Sequence, residues 1–312
     1  MEFFKANTKF HFMAVRRKWY ALSALLIVAS LGHLLWKGLN LGIDFTGGIT
    51  AQANFTAPPN LESLHSALVA GGFGDPQVQN FGSSRDVAIR LPPVKANEKA
   101  DDIRARVLGV VHHIDAKAEI RSFEVVGPQV GAELRNAALW SLGATIVLIF
   151  LYLLLRFHTV KLSSGAILAA LHDPIIVLGF FSWTWLTFDL SVVAAILAVI
   201  GYSLNDTVVV FDRIRERFEA NRRSPSADVI DQSLNQTLSR TIMTSFTTMI
   251  VVVVLLLLGG PVLQGFSAAL VVGIIVGTYS SIYIASAVAL DMGLTAENIF
   301  PSVKKNAVDE LP

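Results

Sequence analysis

The sequence predicts a polytopic α-helical membrane protein that crosses the bilayer six times and carries one small α+β domain outside it. Hydrophobic residues make up 53% of the 312 residues and charged residues only 16%, against about 25% charged in a typical soluble domain. The mean hydropathy is +0.56, and the apolar residues are gathered into long runs. A soluble domain has no way to cover this much apolar surface, and a disordered chain is excluded for the same reason.

Charge and cysteine content exclude several classes of function. The formal net charge is +1, whereas a nucleic-acid-binding protein shows a clustered basic excess, so nucleic acid is not an expected partner. The chain contains no cysteine, which excludes disulfides, thiolate catalysis and cysteine-ligated metals. We expect no cofactor, and we expect membrane lipid to surround the apolar runs.

Six apolar stretches are long enough to cross a bilayer, because a hydrocarbon core of roughly 30 Å requires about 20 helical residues. The fifth includes an unbroken aliphatic run at 251–258. Such a run would suit a buried strand in a soluble protein, but its neighbours favour a spanning helix. The predicted spans are approximately 19–35, 137–155, 162–181, 190–211, 241–258 and 266–290.

Lysine and arginine in the connecting segments predict the orientation. The segments at 183–189 and 259–265 contain neither residue, whereas the alternate segments are basic. This alternation predicts cytoplasmic termini and a periplasmic domain between the first two spans. The basic residues are Lys5, Lys9, Arg16, Arg17, Lys18, Arg156, Lys161, Arg213, Arg215, Arg217, Arg222, Arg223, Lys304 and Lys305.

The first span has two interpretations. A basic region precedes it, and the small residues Ala29 and Ser30 lie within it, as in a cleavable signal peptide. The apolar run continues to Trp36, which favours an uncleaved anchor. The predicted organisation is a cytoplasmic segment at 1–18, a first span at 19–36, a periplasmic domain at 37–135, further spans at 136–290 with a cytoplasmic loop at about 212–239, and a cytoplasmic tail at 291–312.

The periplasmic domain is predicted to be ferredoxin-like, with the element order βαββαβ. Alternating apolar residues predict its strands, and apolar residues at helical spacing predict its helices. A slip in the alternation near Ser122 indicates a bulge. The adjacent His112 and His113 lack a third ligand and are interpreted as solvated. The domain shows no catalytic constellation, so we expect a binding or mechanical module. The strands are predicted at 49–55, 77–81, 85–91 and 117–126, and the helices at 61–69 and 103–114.

Three charged residues lie inside apolar runs: Asp173 in the third span, Asp206 in the fourth and Arg240 at the start of the fifth. Such a charge costs about 2.5–3.5 kcal/mol at a helix centre on insertion scales, which makes it a functional candidate. Asp206 lies about 10 Å along its helix from Arg213, and Asp173 lies about 18 Å from Lys161. Asp206 and Arg240 lie on neighbouring helices, so we expect them to be able to meet. The alternative is a structural ion pair that holds helices together.

Proton binding is the chemistry that these charges favour. They sum to −1, so pairing leaves one carboxylate, and burial favours its neutral form. Asp206 lies beside Asn205 in a polar cluster, and hydroxyl residues begin the fifth span, where helix packing is the favoured role for most of them. A charge that crosses the membrane releases about 2.3 kcal/mol per 100 mV, which is the physical basis for predicting proton coupling.

The third and sixth spans carry further signals. Asp173 follows His172 and precedes Pro174, which removes a helical hydrogen bond. His172 can share a proton with its neighbour or with a partner helix; the alternative is a buried polar kink. Gly273 and Gly277 form a GxxxG pair, which indicates close helix approach inside the bundle or with a second subunit.

Four motifs resemble the SecD/SecF family of protein-export membrane proteins, in particular its SecF half. They are Gly-Ile-Asp-Phe-Thr-Gly-Gly at 42–48, Val-Gly-Pro-Gln-Val-Gly-Ala-Glu-Leu at 126–134, Gly-Tyr-Ser-Leu-Asn-Asp-Thr-Val-Val-Val-Phe-Asp-Arg-Ile-Arg-Glu at 201–216 and Asn-Gln-Thr-Leu-Ser-Arg-Thr at 235–241. With the six spans and one outer domain, the similarity covers nearly the whole chain. The motif residues include Gly42, Asp44, Phe45, Gly47, Gly48, Gly127, Pro128 and Gly201.

This resemblance implies an RND-superfamily half in the bacterial inner membrane. The implied partners are SecD, the SecYEG translocon, YajC and the translocating unfolded polypeptide. The implied function is to use the proton-motive force in late translocation, as a transport accessory rather than an enzyme. The family's acidic residue falls on Asp206 and its arginine on Arg240. The family's His-Asp pair is usually followed by a β-branched residue, so Pro174 is a departure that bears on Asp173.

Two other classes remain open from the sequence. One is an RND-type proton-coupled exporter half for small molecules or lipids, although such pumps usually have two six-span halves and much larger outer domains. The other is an uncoupled scaffold for the translocon. The scaffold hypothesis expects Asp206→Asn to leave export intact, whereas proton coupling expects this variant to abolish its stimulation.

Overall fold

The computed structural model describes residues 9–93, 98–157 and 159–300. Residues 1–8 of the predicted N-terminal segment and 301–312 of the predicted tail lie outside this range. A π-helical segment (Ser281–Ala285) joins the last long helix to a short one. The elements in chain order are α1 (Arg16–Lys37), α2 (Ile43–Thr46), β1 (Gly48–Asn54), α3 (Leu61–Ala70), β2 (Gln77–Phe81), β3 (Ser83–Leu91), α4 (Ala100–Ile114), β4 (Glu119–Val126), α5 (Pro128–Phe157), α6 (Val160–Thr184), α7 (Leu190–Ala220), α8 (Ser226–Leu258), α9 (Pro261–Ser280), α10 (Ser286–Asp291) and α11 (Ala296–Ile299).

The prediction of six membrane-crossing helices is confirmed, since six helices of the described chain are long and apolar enough to span a bilayer. They are α1, α5, α6, α7, α8 and the continuous helix from α9 through α10. Several extend beyond the apolar runs: α7 continues to Ala220, and α8 begins at Ser226. Polar residues continue a helix without contributing to its hydropathy, so the apolar run marks only the part that suits the hydrocarbon core.

The outer domain has the predicted element order. Its four strands form an antiparallel sheet in the order β2-β3-β1-β4. Helices α3 and α4 cover one face, where Leu64, Leu68 and Val107 are buried. The register shifts between Gln52 and Ala53, which pair with Ser122 and Ile120, so the predicted bulge near Ser122 is confirmed. The polar face of the sheet therefore remains free to approach the helix bundle.

The six long helices divide into an inner and an outer group. More than half of the apolar window is buried in α6, in α7 and in the helix from α9 through α10, but less than a fifth in α1, α5 and α8. The inner helices therefore form the core of the bundle. The outer helices present wide apolar surfaces, as helices in contact with lipid or with another membrane subunit do.

Small residues allow the inner helices to approach closely. Gly273 and Gly277 of α9 lie against Val199 and Ser203 of α7, where a Cβ atom on either glycine would collide with those side chains. Of the two roles predicted for the GxxxG pair, the structure shows close helix approach inside the bundle. Gly277 also brings α9 next to the carboxylate of Asp173 on α6, so this packing gathers polar groups at the centre.

Candidate functional site

Asp206 lies on the inner face of α7. Its side chain is 3% exposed, and its Oδ2 atom is buried without a hydrogen-bond partner in the described part of the chain. Neighbouring Thr207 instead donates to the carbonyl oxygen of Ser203, at 3.1 Å. An unpartnered buried carboxylate oxygen is costly in an apolar interior, so this group marks the centre of the candidate site.

Arg240 of α8 does not form an ion pair with Asp206. Among the described residues no lysine or arginine nitrogen lies within 4.0 Å of its carboxylate. Arg240 is exposed, yet it is close enough to act electrostatically on the carboxyl of Asp206. Asn205 and Gly201 lie on the exposed side of α7. The structure thus brings Asp206 and Arg240 near each other, and turns Asn205 away from the buried carboxylate.

Asp173 and His172 form a buried hydrogen-bonded pair on α6. Their side chains are 0% and 3% exposed, and His172 Nδ1 lies 2.8 Å from Asp173 Oδ1. The hydroxyl of Tyr279 on α9 lies 2.8 Å from His172 Nε2. Ser280 donates to Asp173 Oδ2 at 3.1 Å, and the Tyr279 hydroxyl lies 3.4 Å from Ser23 on α1. This chain links α1, α9 and α6.

A second chain of hydroxyl groups joins α7, α8 and α9. The Tyr202 hydroxyl donates to Ser245 Oγ at 3.3 Å, and Ser245 Oγ lies 2.7 Å from Thr278 Oγ1. Most other hydroxyls at the start of the apolar part of α8 donate to carbonyl oxygens of their own helix, as Thr244 and Thr247 do. The latter contacts satisfy the hydroxyls locally, in agreement with the packing role favoured from the sequence.

The end of the bundle predicted to be cytoplasmic is held by polar contacts. Arg156 donates to both carboxylate oxygens of Asp212, at 2.7 and 2.6 Å. The backbone amide of Met13 donates to Asp231 at 2.9 Å, and Asn235 exchanges two hydrogen bonds with the backbone of Phe10. These contacts tie the segment before α1 to α8. None of these contacts involves Asp173 or Asp206, the buried carboxylates of the bundle centre.

The motif at 42–48 joins the outer domain to α7. The amide of Gly42 donates to the carbonyl oxygen of Phe188, and the amide of Phe188 donates to Asn40, both at 2.8 Å. Asp44 accepts a hydrogen bond from the amide of Leu190, the first residue of α7, at 2.9 Å. Asp44 therefore satisfies one of the free amides at the N-terminus of the helix that carries Asp206.

Gly47 of the same motif packs against the start of α5. A Cβ on Gly47 would lie 2.9 Å from Pro128 Cα, and one on Gly131 would lie 2.8 Å from the amide nitrogen of Gly47. Gly47 and Gly48 adopt φ angles of +69° and +127°, which side-chain-bearing residues rarely adopt. Phe45 is buried against Phe188, with ring centroids 5.9 Å apart. Gly127 has open space around it.

Arg90 of β3 fastens the sheet to this junction. It donates to Asn40 Oδ1 at 3.2 Å and to the hydroxyl of Thr187. Burial lowers the pKa of the Arg90 guanidinium, while the nearby Asp189 carboxylate opposes that shift. Arg90 remains charged, because an arginine pKa lies far above neutral pH. We call Asn40, Gly42, Asp44, Arg90, Thr187 and Phe188 the junction.

A cleft of about 480 Å³ lies between the polar face of the sheet and the loops at the same end of the bundle. Gln52, Gln79 and Glu124 line its sheet side, and Asp189 and Gln264 its bundle side. Within the described residues, no group of three or more histidine, aspartate or glutamate side chains is arranged to hold a metal ion.

Several residues that the structure places in these networks were not predicted from the sequence. Ser23, Tyr279 and Ser280 lie in apolar runs, where single hydroxyl groups have no pattern that separates them from packing residues. Arg90 and Thr187 lie in a strand and a loop far apart in sequence. For Arg90 the sequence offered one signal, a single arginine near the otherwise apolar end of a strand.

An α-helical bundle that buries carboxylates and a histidine in its core, with an outer domain fastened to its end, has the architecture of membrane transport proteins. The SecD/SecF C-terminal family of protein-export membrane proteins matches residues 107–295. The SecD/SecF GG motif matches residues 37–59. The chain therefore belongs to the SecD/SecF family, and the predicted role as an auxiliary subunit of Sec protein export is confirmed.

Similar proteins support this assignment over nearly the whole chain. Protein translocase subunit SecF of Haemophilus influenzae is 47% identical over 96% of this chain and 91% of its own length. The SecF subunit of Vibrio alginolyticus is 44% identical over 99% and 98%. The crystal structure of SecDF from Thermus thermophilus, a translocon-associated membrane protein, is 37% identical, covers 93% of this chain and has a TM-score of 0.84.

A second SecDF crystal structure, in a super-membrane-facing form, is 38% identical over 92% of this chain, with a TM-score of 0.68. The chain spans only 39% of the length of each SecDF chain. The multi-pass membrane protein predicted from the sequence is confirmed by these relatives and by the six long helices.

Proposed function

We propose that this chain works with a SecD partner in the bacterial inner membrane and uses the proton-motive force to promote late translocation of unfolded polypeptide. The observation that carries the proposal is Asp206, a nearly fully buried carboxylate with an unpartnered oxygen in the core of a membrane bundle. Burial of such a group in a membrane bundle costs free energy. Carboxylates inside such bundles are typical of proton pathways.

Proton exchange at Asp206 provides a way to use the membrane potential. In the charged form, Arg240 stabilises the carboxylate electrostatically without direct contact. In the neutral form, the carboxyl loses that attraction but no longer requires charge compensation in an apolar interior. Each proton that crosses the full potential supplies about 2.3 kcal/mol per 100 mV. Alternation between the two forms changes the forces between α7 and α8.

The partner assignment rests on the exposed surfaces and on the length of the relatives. The outer helices α1, α5 and α8 leave most of their apolar windows uncovered, and the chain matches only 39% of each SecDF structure. We assign part of that surface to a SecD half and the rest to lipid. SecYEG and YajC are further partners in this proposal, and the chain acts as a transport accessory rather than an enzyme.

The membrane arrangement belongs to the same proposal. Both termini are cytoplasmic, and residues 37–135 form the periplasmic domain. The polar cleft beside the sheet then faces the periplasm, on the side to which exported polypeptide emerges. His172 and Asp173 are secondary members of the proton pathway. Asn205 is a candidate only for the outer surface of α7, because it is exposed.

Export stimulation in vesicles tests the function. The protein, assembled with its SecD half and the translocon, is reconstituted, and export of a translocation substrate is measured with and without a proton gradient. We expect Asp206→Asn to abolish the gradient-dependent increase, because an amide cannot take up a proton, while assembly is preserved. Asp228→Asn is the matched control, since Asp228 is exposed at the start of α8.

Gradient-dependent export at the wild-type level in Asp206→Asn would overturn proton coupling and favour the uncoupled scaffold. The small-molecule exporter predicts a different result: gradient-driven efflux of a small solute or lipid by vesicles that contain this half and its partner but no translocon. The single small outer domain in the described chain favours protein export over that alternative.

A further inference from the structure

A continuous hydrogen-bonded chain crosses three helices beside the Asp206 site. It runs from Ser23 on α1 through Tyr279 on α9 to His172 and Asp173 on α6, with separations of 3.4, 2.8 and 2.8 Å. Ser280 donates to the far oxygen of Asp173 at 3.1 Å. Ser23, His172, Asp173 and Ser280 are each 5% exposed or less. Water is therefore not needed to complete the chain.

The direction of the two hydrogen bonds at the Tyr279 hydroxyl depends on one proton. When Asp173 is a carboxylate and His172 is neutral, His172 Nδ1–H donates to Asp173 and Nε2 accepts from the Tyr279 hydroxyl. Tyr279 oxygen then accepts from Ser23. When one proton is added, both ring nitrogens carry hydrogen, so Nε2–H donates to Tyr279 and the Tyr279 hydroxyl must turn to Ser23.

Proton transfer along this chain balances without any other reactant. A proton binds Ser23 Oγ, and the original hydroxyl hydrogen of Ser23 passes to the Tyr279 oxygen. The original hydroxyl hydrogen of Tyr279 then passes to His172 Nε2. Three O–H or N–H bonds form and two O–H bonds break, so Ser23 and Tyr279 end neutral and His172 ends as an imidazolium. The reverse sequence returns the proton to the Ser23 side.

The groups around the chain leave its charge uncompensated by any lysine or arginine. In the described residues, the helices packed on the pair contribute Ser23 from α1, Ser203 from α7 and Tyr279 and Ser280 from α9. The nearest further acid along α7 is Asp206, one turn after Ser203. On α1, Tyr20 interacts with Asp291 and His33 is hydrogen-bonded to Ser182.

The helix geometry at this point is independent evidence for a functional site. Tyr279 and Ser280 are the last residues before the π-helical segment Ser281–Ala285. Isolated π-helical turns weaken the regular backbone hydrogen bonding and occur frequently at functional sites. The segment lets the end of α9 place the Tyr279 hydroxyl between His172 and Ser23 while α10 continues in the same direction.

We propose that Ser23, Tyr279, His172 and Asp173 form a second proton relay, which carries protons between the bundle centre and the α1 side. Ser23 lies about 10 Å along α1 from Arg16, so in the proposed orientation Ser23 is the end of the relay nearer the cytoplasm. The relay rests on the proton-coupled function proposed above and assigns Tyr279 as the group that changes the partner to which it donates.

Infrared difference spectroscopy tests the relay directly. Spectra are recorded between acidic and neutral pH on the protein assembled with its SecD half in vesicles, with ring-labelled tyrosine to assign bands. We expect a tyrosine C–O band that shifts with pH. The reason is that the Tyr279 hydroxyl donates to His172 when the histidine is neutral, and accepts from His172 when the histidine is protonated. Tyr279→Phe should remove this band, whereas Tyr283→Phe should retain it.

Tyr283 is the matched control because its ring, like that of Tyr279, stacks on the ring of Trp19. The ring centroids lie 4.3 Å apart for Tyr283 and Trp19, and 5.6 Å apart for Tyr279 and Trp19. Its hydroxyl is not part of the chain. A pH-dependent tyrosine band that persists unchanged in Tyr279→Phe would overturn the relay, as would the absence of any such band in wild type. Neither result depends on whether Asp206→Asn abolishes export.

Transport kinetics provide a second measurement. We expect Tyr279→Phe and Ser23→Ala to slow gradient-dependent export by about tenfold or more, as loss of a proton-transfer group does, with assembly measured in parallel. Tyr283→Phe should behave like wild type. Wild-type gradient dependence in both Tyr279→Phe and Ser23→Ala would contradict the relay while leaving the role of Asp206 intact.

Discussion

At the scale of single residues, the two carboxylates of the bundle are held in different ways. Asp173 has hydrogen bonds to both oxygens, from His172 and Ser280. Asp206 has an unpartnered oxygen and a cation nearby but not in contact. A group that is already satisfied keeps its position in both protonation states, whereas an unsatisfied group gains by attracting a new partner. In the proposed mechanism, this difference suits Asp206 to drive movement and Asp173 to conduct protons.

Arg240 should therefore act through Asp206. We expect Arg240→Gln to abolish gradient-dependent export, and Arg240→Lys to retain part of it, because the lysine preserves the charge but not the reach of the guanidinium. Arg223→Gln, at an exposed position, is the control. Gradient-dependent export at the wild-type level in Arg240→Gln would show that Asp206 does not require this cation.

Asp115 illustrates a purely structural acid in the outer domain. Its carboxylate accepts hydrogen bonds from the amide and hydroxyl of Thr56, at 2.8 and 2.6 Å, and from the amide of Lys117 at 3.0 Å. These bonds lower the pKa of Asp115. A lowered folded-state pKa means that the unfolded chain binds more protons in acid, so the stabilisation is complete above about pH 4 and is lost as pH falls through the folded pKa.

Hydrogen exchange should detect this loss. We expect the amides of Thr56 and Lys117 to exchange faster as the pH falls below about 4, after correction for intrinsic rates. In Asp115→Ala, which has no side-chain acceptor, they should exchange fast at all pH values. Asp101→Ala, at an exposed position in the first turn of α4, should follow wild type. Protection at these amides that is independent of pH would contradict the assignment.

At the scale of elements, the junction is the structure that connects the outer domain to α7. Asp44 bonds the first amide of α7, and Arg90 bonds Asn40 and Thr187 on the two connecting segments. The motif glycines Gly47 and Gly48 allow the chain to turn tightly between α2 and β1. A displacement of α7 therefore reaches the sheet through hydrogen bonds rather than through a flexible linker.

Thr187 allows a conservative test of this connection. Thr187→Val removes the hydroxyl that accepts from Arg90 at nearly constant volume, and a hydrogen bond to a charged group is worth about 1.5–3 kcal/mol. We expect faster hydrogen exchange at Gly42 and Phe188 and weaker gradient-dependent export. Thr187→Ser keeps the hydroxyl and should restore both properties. Equal behaviour of the two variants would show that Arg90 is held by other contacts.

At the scale of the whole molecule, the chain forms a six-helix bundle with a small domain fastened to one end. The inner helices carry the buried polar groups, while the outer helices α1, α5 and α8 present apolar surface. This division suits the proposed function, which requires both a shielded site for protons and a surface for lipid and a partner half. The polar cleft between sheet and bundle lies directly beside the junction.

The sequence was enough to predict the class of protein, the six spans, the order of strands and helices in the outer domain and the three embedded charges. Hydropathy and periodicity are properties of neighbouring residues, so they are readable along the chain. It also identified Asp206 and Arg240, because a charge inside an apolar run is conspicuous wherever the helix packs.

Which of these residues meet depends on the packing of the helices and could not be predicted from the sequence. Tyr279 is 107 positions from His172 and 256 from Ser23, and nothing local distinguishes it from a packing residue. The same holds for Arg90 and Thr187, which are 97 positions apart. The rotation of α7 buries Asp206 and exposes its neighbour Asn205. Such contacts depend on how helices turn and cross, which is fixed by packing over the whole bundle rather than by the residues beside each site.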